Sequence, residues 1–117
     1  MTPARTELSL SRPRPGASPA DPFDRVLWRL FIGTTGGKTR AALLRTVMDR
    51  PMNAQQLAGA LGLDYTTVRH HLRVLERGGV VLCESHSYGR LYFPTAKTES
   101  RWPALQTILE KARGRGG

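Results

Sequence analysis

Between residues 53 and 80 the apolar positions follow one helical stripe, break at a glycine, and resume on a second. Ala54, Leu57, Ala58 and Leu61 recur at i, i+3, i+4, i+7, the spacing of a buried helix face. Asn53 is suited to cap that helix, and Gln56 three residues later completes an Asn-led capping box. Gly62 stands where a left-handed residue ends a helix, and Leu63 follows to plug the corner. Asp64 then caps a second helix running to about Arg77, which Gly78 and Gly79 stop.

That second helix has two unlike faces. Val68, Leu72 and Leu75 fall on one side. Tyr65, Thr66, Arg69, His70 and Arg73 fall on nearly the opposite side, with no acid among them. A solvated face usually carries both signs of charge. Side chains of this kind donate to phosphates and base edges and pack on sugars or thymine methyls. The pattern is that of a helix-turn-helix with a recognition helix over residues 64–77.

The same reading orders the rest of the chain. Asp21 and Pro22 open a helix as cap and first residue, with Val26, Leu27, Leu30 and Phe31 at helical spacing up to Gly33. A helix from Thr39 to Asp49 turns Leu43, Leu44, Val47 and Met48 to the core, and Pro51 ends it. Met52 adds a short strand or an extended link. Val80–Glu84 reads as a strand, residues 85–89 as a turn, and Arg90–Phe93 as a return strand with Arg90 and Tyr92 outward, Leu91 and Phe93 inward. Pro94 ends the hairpin. A last helix over residues 100–113 aligns Trp102, Leu105, Ile108, Leu109 and Ala112. The expected class is mainly α with a small β-hairpin, a winged helix-turn-helix over residues 21–113. A Pro-rich arm over residues 1–20 precedes it, and a short loose tail over residues 114–117 follows.

The stretch LGLDYTTVRHHLRVLERGGVV resembles the winged-helix regulators of the ArsR type found in archaea and bacteria. Thr67 and Val68, His71 and Leu72, Leu75, and Gly79 and Val80 fill the slots of that family's recognition-helix motif. With the hairpin the resemblance covers about residues 38–95. It implies a DNA-binding transcriptional regulator in which the first and last helices pair across a two-fold axis. Leu27, Leu30, Phe31, Trp102, Leu105, Ile108 and Leu109 are the expected dimer contact, with completion of the single chain's own core by the two helices as the alternative. Recognition helices would then meet successive major grooves, and the wing over residues 84–91 would bring Arg90, His86 and Tyr88 to flanking DNA. Many relatives sense thiophilic metals through cysteines at the start of the first motif helix. Residues 52–55 here read Met-Asn-Ala-Gln, with no cysteine.

Charge sharpens this picture. Eighteen basic residues against nine acidic give +9, and fifteen of the eighteen are arginines. Such a balance favours a polyanion through attraction and counterion release. Arg5, Arg12 and Arg14 of the arm are placed to track along DNA, though a solubilising leader explains them equally. One cysteine excludes an internal disulfide and fits a reducing cytoplasm. No apolar run reaches the length of a membrane span.

Other chemistries fit less well. GTTGGKT at residues 33–39 resembles a phosphate-binding loop, but the first glycine it needs falls on Ile32, and no βαβ frame surrounds it. It reads as an interhelical turn with Thr39 as N-cap. His70 and His71 point about 100° apart and cannot chelate one ion as an i, i+4 pair does. His71 is expected at the edge of the buried face with a satisfied ring nitrogen, His70 on the DNA-facing side. Cys83 reads as a small buried hydrophobe, with an oxidation switch as the alternative. No nucleophile has a base and orienting acid beside it, and neither a cofactor nor a metal site is expected. The rival readings are a chromatin-like protein that coats DNA without sequence preference, a winged helix used to bind protein, and a nucleotide-binding enzyme.

Overall fold

A computed structural model describes residues 21–87 and 89–115; Arg5, Arg12, Arg14 and Tyr88 lie outside the described residues. Asp21 caps α1 (Pro22–Phe31) by accepting the Phe23 amide at 2.9 Å, with Pro22 in the first turn. Phe23 joins Leu27, Leu30 and Phe31 in the core, one turn earlier than the sequence pattern suggested, while Val26 is only half-buried. Helix α2 (Gly37–Asp49) follows. Its start corrects the expected boundary: Gly36, in left-handed backbone at φ 93°, is the N-cap, and Thr39 lies inside the helix. Gly37 sits so close to α1 that a Cβ there would lie 2.2 Å from the Phe31 carbonyl oxygen. Only glycine fits, so the helix begins where the close approach ends.

The helix-turn-helix forms as its caps dictate. Asn53 and Gln56 make the reciprocal capping box on α3 (Ala54–Leu61), and Gly62 ends it at φ 67°. Asp64 caps α4 (Tyr65–Arg77), whose Val68, Leu72 and Leu75 are fully buried. Strands β1 (Val81–His86) and β2 (Gly89–Pro94) pair antiparallel from Val81↔Pro94 to His86↔Gly89. The hairpin is therefore tighter than expected. Ser85 and His86 belong to the strand, leaving residues 87–88 as the connection, and Gly89 at φ 118° completes the reversal.

Tyr92 is a second correction. It was expected to face outward beside Arg90, yet it is 5% exposed. Met52 bridges to Tyr92 as a third, one-residue strand, the Tyr92 amide donating to the Met52 carbonyl at 2.9 Å. With α2, α3 and a short helix α5 (Ala96–Ser100) also packed on β2, both faces of this strand are covered. Simple alternation holds only where one face meets water.

The last helix, α6 (Trp102–Arg115), begins after α5 rather than at residue 100 and runs two residues past its expected end. Thr95 and Thr98 lock this region to the end of α4, donating to the Gly79 and Val80 carbonyls, each at 2.7 Å. Arg101 pairs with Asp21 and with Asp24, tying α6 to the start of α1. Six side chains expected at a dimer contact, Leu27, Leu30, Phe31, Leu105, Ile108 and Leu109, are at most 8% exposed within the single chain. They fill the packing of α1 and α6 on each other and on α2, and have no surface left for a partner. Trp102 alone of that set is half-buried. No described helix is long and apolar enough to cross a membrane.

Candidate nucleic-acid interface

The face of α4 that carries Tyr65, Thr66, Arg69, His70 and Arg73 is open to solvent, with exposed Glu76 further along it acting electrostatically on Arg90 and Tyr92. Thr66, His70 and Arg73 are exposed, Tyr65 is 50% exposed, and Arg69 is half-buried with its guanidinium 6.0 Å from the Tyr65 ring centre. Asp64 stands at the head of this face, but its carboxylate is committed. It accepts the Thr67 hydroxyl at 2.7 Å and the Thr67 amide at 3.1 Å. Those two bonds hold its pKa below the ordinary carboxylate value, so the cap remains ionised and in place.

The fold brings the wing to this helix. Tyr65 and Arg69 of α4, Arg90 and Tyr92 of β2, and Asn53, Ala54 and Gln55 at the start of α3 line one open cleft of about 200 Å³. Two guanidiniums converge there with no carboxylate among the lining residues. Arg90 is exposed, and a hydrogen bond with the Cys83 side chain is the largest of the influences that raise its pKa. It is a cation at every accessible pH. Burial, then the neighbouring Cys83, raises the pKa of the Tyr92 phenol, so its hydroxyl stays neutral and able to donate. Cys83 is half-buried rather than enclosed, paired with Tyr92 across the hairpin and interacting with Arg90.

His86 is exposed on the wing, with its ring 3.5 Å from Glu84. His71 is the satisfied histidine the pattern suggested, its Nδ1 3.0 Å from Arg40. No group of three His, Cys, Asp or Glu side chains that could hold a metal ion occurs among the described residues. The GTTGGKT segment is an interhelical turn. It borders a surface cleft of about 500 Å³, but Gly36 and Gly37 are pressed against His71 and Phe31.

Sequence reasoning missed three contributors. Asn53 and Gln55 were read only as the cap and first turn of a helix, yet they border the cleft. Arg40 was passed over although it is 5% exposed. The signal was present: residues 40, 43, 44 and 47 share the i, i+3, i+4, i+7 stripe of α2, so an arginine at its head points inward.

Residues 37–84 match the family described as a helix-turn-helix domain. No curated protein matches the sequence significantly. Among solved structures, the crystal structure of transcriptional regulator PA4135 is similar with a TM-score of 0.56 at 20% identity, over 98% of this chain and 79% of that one. The crystal structure of overoxidized AbfR bound to DNA is similar with a TM-score of 0.58 at 17% identity, over 92% of this chain and 76% of that one. At such identities the likeness is one of fold. With the matched domain and the β1–β2 hairpin, the chain has the winged helix-turn-helix fold.

Proposed function

We propose that this chain is a DNA-binding transcriptional regulator of the ArsR kind, acting in the cytoplasm. Helix α4 enters the major groove, and the β1–β2 wing lies on flanking backbone. The observation that carries this reading is Tyr65 and Arg69 of α4 meeting Arg90 of the wing in one cleft whose lining holds no carboxylate. Tyr65, Thr66 and Arg69 face base edges, His70 and Arg73 hold phosphates, and Arg90 serves the wing with His86 and Tyr88. The DNA-bound state of AbfR, which shares the fold, supports duplex DNA as the ligand.

A homodimer belongs to the same reading. Because the apolar stripes of α1 and α6 are spent inside one chain, the two-fold contact falls to their outer faces. There Trp28 is 44% exposed, with the Lys111 ammonium 5.6 Å from its ring centre.

Selection from a random duplex library at about 150 mM salt, where non-specific retention is suppressed, tests the reading. An enriched inverted repeat with half-sites about 34–36 Å apart is the expected result. Retention without enrichment would identify a protein that coats DNA, and no retention even at low salt would point to a protein partner.

A further inference from the structure

The turn at residues 33–37 is the sequence motif that DNA binding leaves unused, and Arg40 shows what it does. The buried guanidinium donates from Nε to the Leu30 carbonyl at 3.0 Å and from Nη2 to the Thr35 carbonyl at 3.5 Å. Its Nη1 lies 3.0 Å from Nδ1 of His71 on the recognition helix. Arginine only donates, so Nδ1 carries the lone pair and the imidazole proton resides on Nε2. The ring rests on the turn itself: a Cβ on Gly36 would come 2.8 Å from His71 Cε1 and 3.2 Å from Arg40 Nη1. The glycines form a seat, and the seat holds the middle of α4.

The groups facing His71 are Arg40 from α2 and His70 from its own helix, the two rings 5.2 Å apart. Thr34, Thr35 and Gly36 bring no charge, and α3 has no titratable side chain. A proton on Nδ1 would remove the acceptor and set a second cation against the guanidinium. We propose that Arg40 and His71 are positioning residues that dock the recognition helix onto the glycine turn through a neutral imidazole, so that duplex binding requires unprotonated His71. The proposal rests on the DNA-binding reading above.

Burial, then Arg40, then His70 push the His71 pKa below its ordinary 6.5. The folded value lies below the unfolded one, so docking is fully present above pH 6.5 and is lost as pH falls through the folded value.

The test is equilibrium binding of the full chain to its selected duplex at constant ionic strength, from about pH 7.5 to about pH 5.5. Wild type is compared with His71→Asn, whose carboxamide oxygen can take the place of Nδ1 and does not titrate. The ratio of wild-type to variant Kd cancels the other histidines. It should be near one at the upper pH and rise as pH falls through the folded pKa of His71, steepening towards about a factor of ten per pH unit below it. Circular dichroism at each pH verifies that both proteins remain folded. A flat ratio overturns the proposal, and a falling one makes His71 a phosphate contact instead. If wild type binds no duplex at the upper pH, the DNA-binding reading fails by itself. Imidazole NMR of the free chain then decides the docking: a His71 that carries its proton on Nδ1, or titrates at or above 6.5, overturns it.

Discussion

Arg40 and Arg69 are the same side chain put to opposite uses on the two sides of α4. Arg40, inside, has each of its guanidinium nitrogens assigned to a carbonyl or an imidazole and is 5% exposed. Burial lowers its pKa, the mark of a cation held at some cost to its hydration. Arg69, outside, leans toward the Tyr65 ring at the rim of an open cleft. A buried guanidinium specifies geometry, whereas a half-exposed one is available to an anion. Net charge counts both equally, which is why +9 alone says so little about where a polyanion would lie.

The contrast is broken most directly from the inside. Arg40→Ala leaves the Leu30 carbonyl and the His71 acceptor without a donor and opens a cavity. It should cost about 2–4 kcal/mol in urea unfolding. A change within about 0.5 kcal/mol, the range of an ordinary surface substitution, would mean that the node is ornamental. Arg69→Ala should show the reverse profile. Its stability stays within about 0.5 kcal/mol of wild type, while affinity for the selected duplex falls by about 1–3 kcal/mol with relaxed sequence preference. Equal weakening on every sequence would reassign Arg69 to the backbone.

Asp64→Ala removes the cap that starts the recognition helix and should lower stability by about 1 kcal/mol, read as a shifted denaturant midpoint. The smallest effect separates the glycines. A Cβ on Gly59 meets nothing within 4 Å, so Gly59→Ala in the middle of α3 should stabilise by about 0.5–1 kcal/mol. Loss of stability there would show that the exposed side of α3 is less open than its packing indicates.

The helix-turn-helix was legible because its determinants are local. Asn53, Gln56, Gly62 and Asp64 each act within a few residues, and the apolar spacing does the rest. The face carrying Tyr65, Arg69 and Arg73 was legible for the same reason. What escaped depends on partners distant in sequence. Arg40 finds His71 31 positions away, and the short strand at Met52 finds its partner in Tyr92, a pairing that the hairpin pattern alone does not contain. The apolar stripes of α1 and α6 were read correctly as faces needing cover. That they cover each other rather than a second chain is a matter of tertiary packing, which periodicity does not encode.

The hairpin carries a consequence for how such a protein could diversify. Its register is pinned toward the core by buried Val81, by Tyr92 and by the Met52 bridge, away from the residues that join the strands. Each residue pair inserted at that connection would lengthen the wing by about 3.3 Å without touching the core. Footprint and sequence preference are thus separate traits, the first set at one outer loop and the second on one helix face, and each is open to change while the other stands.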